Sequence, residues 1–416
     1  MKTLDARWAR GLALASALCL CAAAGLAQSP NIRVQCPGDT NENAVKDTGE
    51  TWPANQKCFH IAAGDGFLVM PDGTASDGTR RRLYGLGFSN VSGRPASEAT
   101  VAGRLGASFP APSIVVDEGD DVYLTLTNVT MVMRPDLFDP HSIHWHGFPN
   151  ASTVFDGEPE ASISANMLSS LTYYYHVNEA GTYMYHCHVE AAEHMQMGML
   201  GNLWVRPAQN RLPDSTLLGT FLHRTGYKYA YNDGDGSTYY DVEFPVQLGS
   251  VDTNFHDASE NVQPLPFAYM KDNFSNINGR GYPDTVNPNA LWNQSPEPKQ
   301  AQDLNTAIRA TQGQKVLLRI SNLNITQFHT ITILGIPMRV VGHGAKLLRG
   351  PGGRDLSYTT NTVTLGGGET YDVILDTAGV APGTYFLYST NLDQLSNDTQ
   401  DYGGMMTEIV IAGVAP

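Results

Sequence analysis

The sequence lacks a long apolar run outside its N-terminal region. From there to the C-terminus, no stretch reaches the roughly 18 consecutive apolar residues that a membrane-spanning helix needs, so no membrane span is predicted. At the N-terminus, Lys2, Arg7 and Arg10 precede an apolar stretch from Gly11 to about Leu26 that closes with small residues. This order is typical of a secretory signal. We therefore expect a signal peptide over residues 1–27 and a periplasmic or secreted protein.

Basic residues are also scarce. The chain has 26 Lys and Arg against 41 Asp and Glu, which gives a formal net charge of −15. Nucleic-acid binding requires clustered basic side chains, so the composition argues against nucleic acid as a partner. An acidic surface suits the solubility of an exported protein, and it could also steer cationic molecules toward it.

Cysteine is rare in the chain, with five residues in all. Two of them fall inside the expected signal peptide, which leaves Cys36, Cys58 and Cys187. In an oxidising compartment Cys36 and Cys58 are predicted to form a disulfide that ties down a segment rich in Pro, Gly and Asn. Cys187 is then the odd cysteine, which is expected of a thiolate that binds a metal.

Helical periodicity is weak along the whole chain. Short stretches of alternating apolar and polar residues, rich in Thr, Val and Tyr and broken by Gly, Pro and Asn, predict an all-β protein. An internal repeat supports this, because IVVDEGDDVYLTLTN at residues 114–128 returns as IRATQGQKVLLRISN at residues 308–322. Each copy predicts a strand, a Gly turn and a second strand. Two tandem antiparallel β-sandwiches of Greek-key type explain the repeat.

The repeat also divides the chain. We expect the first sandwich domain over residues 28–208 and the second over residues 302–416. Residues 209–301 are expected to form an irregular linker and the start of the second domain.

What the chain does contain is a dense set of histidines around one cysteine. HSIHWHG occupies residues 141–147 and HCH occupies residues 186–188, followed by His194 and Met199. A thiolate, two imidazoles and a thioether are the ligands of a blue, electron-transfer copper, because soft sulfur selects copper and a weak axial Met tunes its potential. Neighbouring side chains on a strand point to opposite faces, so one strand can serve two metal centres. The predicted sets are His141, Cys187, His194 and Met199 for the first centre and His144, His146, His186 and His188 for the second.

These motifs resemble a known family. HSIHWHG, the later VFDG and GTYMYHCH, and the closing HMQMGM are similar to two-domain multicopper oxidases related to laccases and copper nitrite reductases. The resemblance runs from about Pro110 to the C-terminus. It implies two cupredoxin-like domains, a type 1 copper at the first ligand set, and a type 2/type 3 cluster at the second. One departure is visible, since His194 follows Cys187 by seven residues where the larger laccases usually have five.

The second copy of the repeat has lost the metal ligands. Aligned on the first copy, it keeps only His329, opposite His141, and the positions opposite His144 and His146 hold Thr332 and Leu334. The HCH triplet becomes Tyr388-Ser389-Thr390, and Gln400 falls opposite His194. The second domain is therefore predicted to be a copper-free cupredoxin-like sandwich in which His329 is a structural residue.

The resemblance implies a copper-dependent oxidoreductase of the laccase type. A small-molecule or protein donor would give one electron at a time to the type 1 copper, and Cys187, His186 and His188 would carry it to the second centre and to dioxygen. The family's cluster uses eight imidazoles and this chain offers four, so completion in a homotrimer is one expectation. The alternative is a non-catalytic blue-copper electron carrier or copper-binding protein. Nitrite reduction is disfavoured, because His144 and Met338 occupy the positions of that enzyme's catalytic Asp and His.

Overall fold

The computed structural model describes residues 31–71, 80–261, 264–293, 298–398 and 403–414, so the expected signal peptide lies outside the described residues. Strands dominate, and the α-helices are short: α1 spans Ala99–Gly103, α2 Ala191–Gln196 and α3 Thr253–Asn261. Single 3-10 turns lie at Ala96–Glu98, Thr153–Phe155, Ala208–Arg211, Phe267–Tyr269, Asp284–Val286, Pro351–Gly353 and Leu392–Leu395. No helix in the described residues is long and apolar enough to cross a membrane.

The first sandwich is built from eight strands. They are β1 Gln56–Val69, β2 Arg82–Asn90, β3 Ala111–Asp117, β4 Asp121–Asn128, β5 His144–His146, β6 Ser170–His176, β7 Gly181–His186 and β8 Leu200–Arg206. One sheet has the order β2-β1-β4-β6 and the other β3-β8-β7-β5. Period-2 alternation turns Leu124 and Leu126 of β4 into the core between the sheets, where they join Ile114 and Val116 of β3.

The chain then crosses to the second sandwich through two small hairpins. These are formed by β9 Leu217–Leu218 with β10 Phe221–Leu222 and by β11 Lys228–Tyr229 with β12 Tyr239–Tyr240. Helix α3 follows later and packs back on the first sandwich, where Phe255 and Leu265 belong to the same core cluster as Leu124. The residues between β13 and β14 thus pack on the first sandwich.

The second sandwich repeats the arrangement. Its strands and the small β15-β16 ribbon are β13 Val242–Val251, β14 Phe274–Ile277, β15 Leu291–Trp292, β16 Gln300–Gln302, β17 Ile308–Thr311, β18 Lys315–Asn322, β19 His329–Ile333, β20 Met338–His343, β21 Lys346–Leu347, β22 Tyr358–Thr360, β23 Thr362–Leu365, β24 Glu369–Asp376, β25 Gly383–Ser389 and β26 Met406–Ala412. One sheet has the order β14-β13-β18-β24-β20-β21, with β22 on β20, and the other β17-β26-β25-β19-β23.

Pairing directions confirm that the two sandwiches are copies of one fold. Parallel pairs β1/β4 and β3/β8 in the first sandwich correspond to parallel pairs β13/β18 and β17/β26 in the second. The antiparallel series β8-β7-β5 likewise corresponds to β26-β25-β19. Strands β13 and β14 belong to this second copy and lie within the stretch 209–301, for which an irregular linker and the start of the second domain were expected.

The predicted disulfide between Cys36 and Cys58 is confirmed. It links the N-terminal segment to β1, and Ile32, Val34 and Trp52 from that segment are buried in a small core of their own. Cys187 is free, as predicted, and it is buried.

A buried ionic network joins the two sandwiches. Arg319 of β18 is 1% exposed, and its Nε lies 3.0 Å from Glu243 Oε2. Its Nη1 donates to Thr182 Oγ1 of β7 at 3.0 Å and lies 3.5 Å from Asp372 Oδ1. Arg206 of β8 donates to Glu243 Oε1 at 2.6 Å. Burial raises the pKa of Glu243, but the two arginines outweigh this and lower it to about 2.

Replacing Arg319 by Met should destabilise the protein by about 3–5 kcal/mol, because the buried Asp372 and the partly buried Glu243 both lose a cationic neighbour. Urea unfolding at neutral pH measures this. The contribution of Glu243 is present above its ordinary pKa of 4.5 and is lost as pH falls toward about 2, so the difference from the wild type should shrink in that window. Arg309→Met, on the exposed side of β17, is the control and should cost little. Equal losses of stability in Arg319→Met and Arg309→Met would contradict a stabilising role of the ionic network.

Candidate metal centres

The first predicted ligand set converges at one end of the first sandwich. His141 precedes β5, Cys187 follows β7, and His194 lies on α2. Cys187 Sγ is 3.3 Å from His194 Nδ1 and 3.8 Å from His141 Nδ1. Because all three side chains are buried and their ligand atoms lie within 4.8 Å of one another, they could hold one metal ion.

Backbone hydrogen bonds hold the ligand loop closed. Cys187 N donates to Met199 O at 3.1 Å, and Met199 N donates to His194 O at 2.8 Å. These bonds return the chain to β8 with Met199 fully buried beside Cys187 in the core cluster. Ser142 N lies 3.4 Å from Cys187 Sγ and can donate to it.

The electrostatics of this group fit a cation. Burial and the neighbouring His194 lower the pKa of His141 well below its ordinary value. Burial also lowers the pKa of His194, but Cys187 and Asp139 raise it to about 10. The group thus combines a neutral imidazole, at His141, with surroundings that favour positive charge at His194. Neutral imidazole and thiolate are the donor forms that bind soft transition metals such as copper.

The second predicted set lies on the opposite face of the same strands. Strands β5 and β7 pair antiparallel with His144 opposite His186, and the ligand atoms of His144, His146 and His186 lie within 4.8 Å of one another. The ring of His188 is 5.2 Å from that of His144 and 5.4 Å from that of His186. All four imidazoles of the set are therefore brought together.

Two of these imidazoles are oriented by carbonyl oxygens. His144 Nδ1 lies 2.6 Å from Asp156 O, and His186 Nδ1 lies 2.9 Å from Cys187 O. A carbonyl accepts only, so each Nδ1 carries the proton and each Nε2 presents a lone pair, which is the usual arrangement of metal-binding histidines. Burial, opposed by the Cys187 carbonyl and aided by the neighbouring imidazoles, lowers the pKa of His186 to about 3.

A glycine turn makes the contact with His144 possible. Gly157 has φ +79°, and a Cβ there would lie 2.0 Å from Ile143 O. Only glycine therefore allows the VFDG turn to approach β5 closely enough for the Asp156 carbonyl to reach His144. The VFDG motif was recognised in the sequence, but this orienting role of the backbone was not.

The second sandwich contributes backbone to the cluster. A Cβ on Gly368 would lie 2.7 Å from His146 Nε2, so the turn before β24 presses directly against that imidazole. Burial lowers the pKa of His146, and its hydrogen bond to the Gly368 backbone partly restores it. The triplet Gly366-Gly367-Gly368 signals a close backbone approach in the sequence, but it does not say what is approached.

In the second sandwich, polar hydrogen bonds replace the first ligand set. Ser389 N donates to Met405 O at 3.0 Å and Met405 N to Gln394 O at 2.8 Å, as at Cys187, Met199 and His194. His329 Nδ1 lies 3.1 Å from Gln394 Oε1, which also accepts from Ser389 Oγ at 2.7 Å. No metal-binding group was found in the described residues of this sandwich.

This geometry corrects one alignment. Gln394, rather than Gln400, occupies the place of His194, and Gln400 lies outside the described residues. The counterpart of His194 lies further from Met405 than His194 lies from Met199, because the second copy has a longer loop before Met405. His329 is buried and hydrogen bonded, in keeping with a structural role.

Comparisons with known proteins agree with the presence of two copies of one domain. Family models described as multicopper oxidase match residues 90–210 and residues 255–407. Copper resistance protein A of Escherichia coli is 25% identical over 343 residues, 79% of this chain and 50% of that protein. Laccase-3 of Thanatephorus cucumeris is 21% identical over 76% of this chain and 48% of its own. The chain thus spans about half the length of these relatives.

Solved structures show the same fold over nearly the whole chain. A blue copper oxidase from Nitrosomonas europaea superposes with a TM-score of 0.60 at 23% identity, covering 86% of both chains. The multicopper oxidase mgLAC also has a TM-score of 0.60, at 20% identity, covering 87% of this chain and 88% of its own. With its two cupredoxin-like sandwiches, this chain belongs to the multicopper oxidase family.

The second sandwich should accept a copper when two side chains are restored. In the variant Ser389→Cys/Gln394→His, a thiolate and an imidazole would join His329 and Met405 on an unchanged backbone. We expect about twice the blue absorbance per chain, since copper–thiolate charge transfer gives that colour. Absorption and copper analysis measure it. Gln394→His alone, which lacks the thiolate, is the control, and a double variant no bluer than this control would disprove the equivalence.

Proposed function

We propose that this protein is a copper-dependent oxidoreductase of the laccase type. It takes one electron at a time from a small-molecule or protein donor and delivers the electrons to dioxygen. The first group would hold a type 1 copper through His141, Cys187, His194 and Met199. The second group would hold copper of type 2/type 3 character. Copper at these positions supplies one-electron redox chemistry.

One observation carries this proposal: the two groups are joined by consecutive residues. Cys187 belongs to the first group, and its chain neighbours His186 and His188 belong to the second. Electron transfer from the thiolate to either imidazole would follow a short covalent path through the backbone. A simple electron carrier gains nothing from four further imidazoles on the opposite face.

The surface beside His194 suits a cationic donor. Asp139 Oδ2 lies 3.9 Å from His194 Nε2, and the exposed Glu190 belongs to the same cluster of ligand atoms. His194 itself is fully buried, so a donor would reach it over these carboxylates. Negative charge at this point would raise the local concentration of positively charged donors.

A complete three-copper cluster does not fit within the described part of one chain. The first sandwich supplies four imidazoles, and the second presents the backbone of Gly368 to them instead of further histidines. We therefore propose that the cluster is completed by assembly, for which a homotrimer is the simplest arrangement. Closed cyclic symmetry of this kind is common among oligomers.

The N-terminal pattern of residues 1–27 and the Cys36–Cys58 disulfide support export to the periplasm or the medium. The relatives named above come from a bacterium and a fungus. Identification of the N-terminal residue of the purified protein tests removal of the signal.

Replacing Cys187 by Ser should remove the blue colour of the oxidised, copper-loaded protein, because the copper–thiolate bond is its source. Absorption near the charge-transfer band is the measurement. Ser142→Ala retains the thiolate and serves as the control, since it removes only a neighbouring hydroxyl, and it should stay blue. A blue Cys187→Ser variant would rule out the type 1 assignment.

The double variant His144→Gln/His146→Gln should keep its blue colour but lose copper beyond one per chain, together with dioxygen consumption. Four converging imidazoles are costly to leave without a ligand, and imidazole binds copper well. Copper analysis and an oxygen electrode measure the two losses. His176→Gln, an exposed histidine on β6 outside both groups, is the matched control. Full copper content and unchanged oxygen uptake in the double variant would favour the single-copper carrier.

A further inference from the structure

The ligand loop of the first group is held from outside the sandwich that carries it. Helix α2 and the residues after it supply His194 and Met199, and Gln196 lies between these two ligands. Gln196 is 2% exposed, and both its backbone and its side chain are hydrogen bonded to the segment between β13 and β14. The loop therefore does not depend on its own strands alone.

The backbone contact comes from a buried histidine. His256 of α3 is fully buried, its Nε2 lies 2.9 Å from Gln196 O, and its Nδ1 is hydrogen bonded to Tyr84 O. Carbonyl oxygens only accept hydrogen bonds, so each contact needs an N–H on the facing ring nitrogen; a neutral imidazole supplies one such N–H, and a protonated imidazole supplies both. Burial lowers the pKa of His256, and the two carbonyl groups partly oppose this. His256 thus connects the ligand loop to β2 and to α3 at once.

The side-chain contact reaches the second sandwich. Gln196 Nε2 donates to Asp272 Oδ1 at 3.2 Å. The other oxygen of Asp272 accepts from Ser250 of β13 and from Asn324 Nδ2, which lies 2.9 Å away just after β18. The second sandwich therefore fixes the carboxylate of Asp272, and the side chain of Gln196 links this carboxylate to the ligand loop.

We propose that His256, together with Asp272, is a positioning residue for the type 1 copper site. By fixing the Gln196 carbonyl and amide, these residues hold His194 and Met199 at their places and couple the copper site to the second sandwich. This inference rests on the proposed function. It assigns to the copper-free sandwich the role of holding the ligand loop in place. Hydrogen-bonding partners beyond the ligands themselves control metal affinity and ligand geometry.

His256→Phe tests the inference, since it fills the space without donating a hydrogen bond. We expect copper loss to a chelator about tenfold faster than in the wild type, together with an altered blue absorption spectrum and a shifted reduction potential. The matched control is His60→Phe. His60, on β1 of the first sandwich, is equally buried, but its Nε2 contacts Thr127 and not the ligand loop. His256→Gln retains a donor and should restore part of the wild-type behaviour.

Gln196→Met removes only the Asp272 contact and serves as an independent test if His256→Phe does not fold; it should shift the spectrum in the same direction. A wild-type protein that binds no blue copper would disprove the proposed function and with it the inference. The second outcome is a blue wild type in which His256→Phe or Gln196→Met behaves like His60→Phe in absorption spectrum, reduction potential and rate of copper release. That outcome would disprove this inference and leave the proposed function intact.

Discussion

The register between β5 and β7 is the constraint on which both metal groups depend. It places His144 opposite His186, so the imidazoles of the second group meet on one face. The residue that follows, Cys187, turns to the other face and meets His141 and His194. A slip of one residue would exchange the faces and separate both groups. The pairing of β5 with β7 therefore sets both the distance between the two metal groups and the residues that each group contains.

The second sandwich has the same fold as the first, but it has a structural role in place of a set of metal ligands. Where the first has Cys187 and His194, the second has Ser389 and Gln394 in the same backbone hydrogen-bond pattern. Its contribution is instead structural, through the ionic network of Arg319, the Gly368 contact with His146 and the anchoring of Asp272. A copy that has lost its ligands can thus still determine the geometry of the copy that retains them.

Much of the fold and of the candidate site could be predicted from the sequence. Period-2 alternation and the repeated strand–turn–strand segments indicated two β-sandwiches, because these patterns report local geometry. Ligand chemistry and strand alternation separated the two histidine sets. The counterpart of His194 was misplaced, since loop length between Ser389 and Met405 is not encoded in any periodic pattern. The contacts of His256, Gln196 and Gly368 join residues far apart in the chain, and single-sequence patterns carry no information on them.

The sequence by itself determined which side chains form the two candidate metal groups, which strands carry them, that Cys36 pairs with Cys58, and that the second copy lacks the counterparts of most of these side chains. These properties follow from the chemistry of residue types and from short spacings. Only the tertiary structure decided how the ligands are held: which nitrogen of His144 faces the metal position, which backbone covers His146, and which residues fix the loop of His194. Such contacts depend on how two sandwiches pack, and packing is decided by the whole chain.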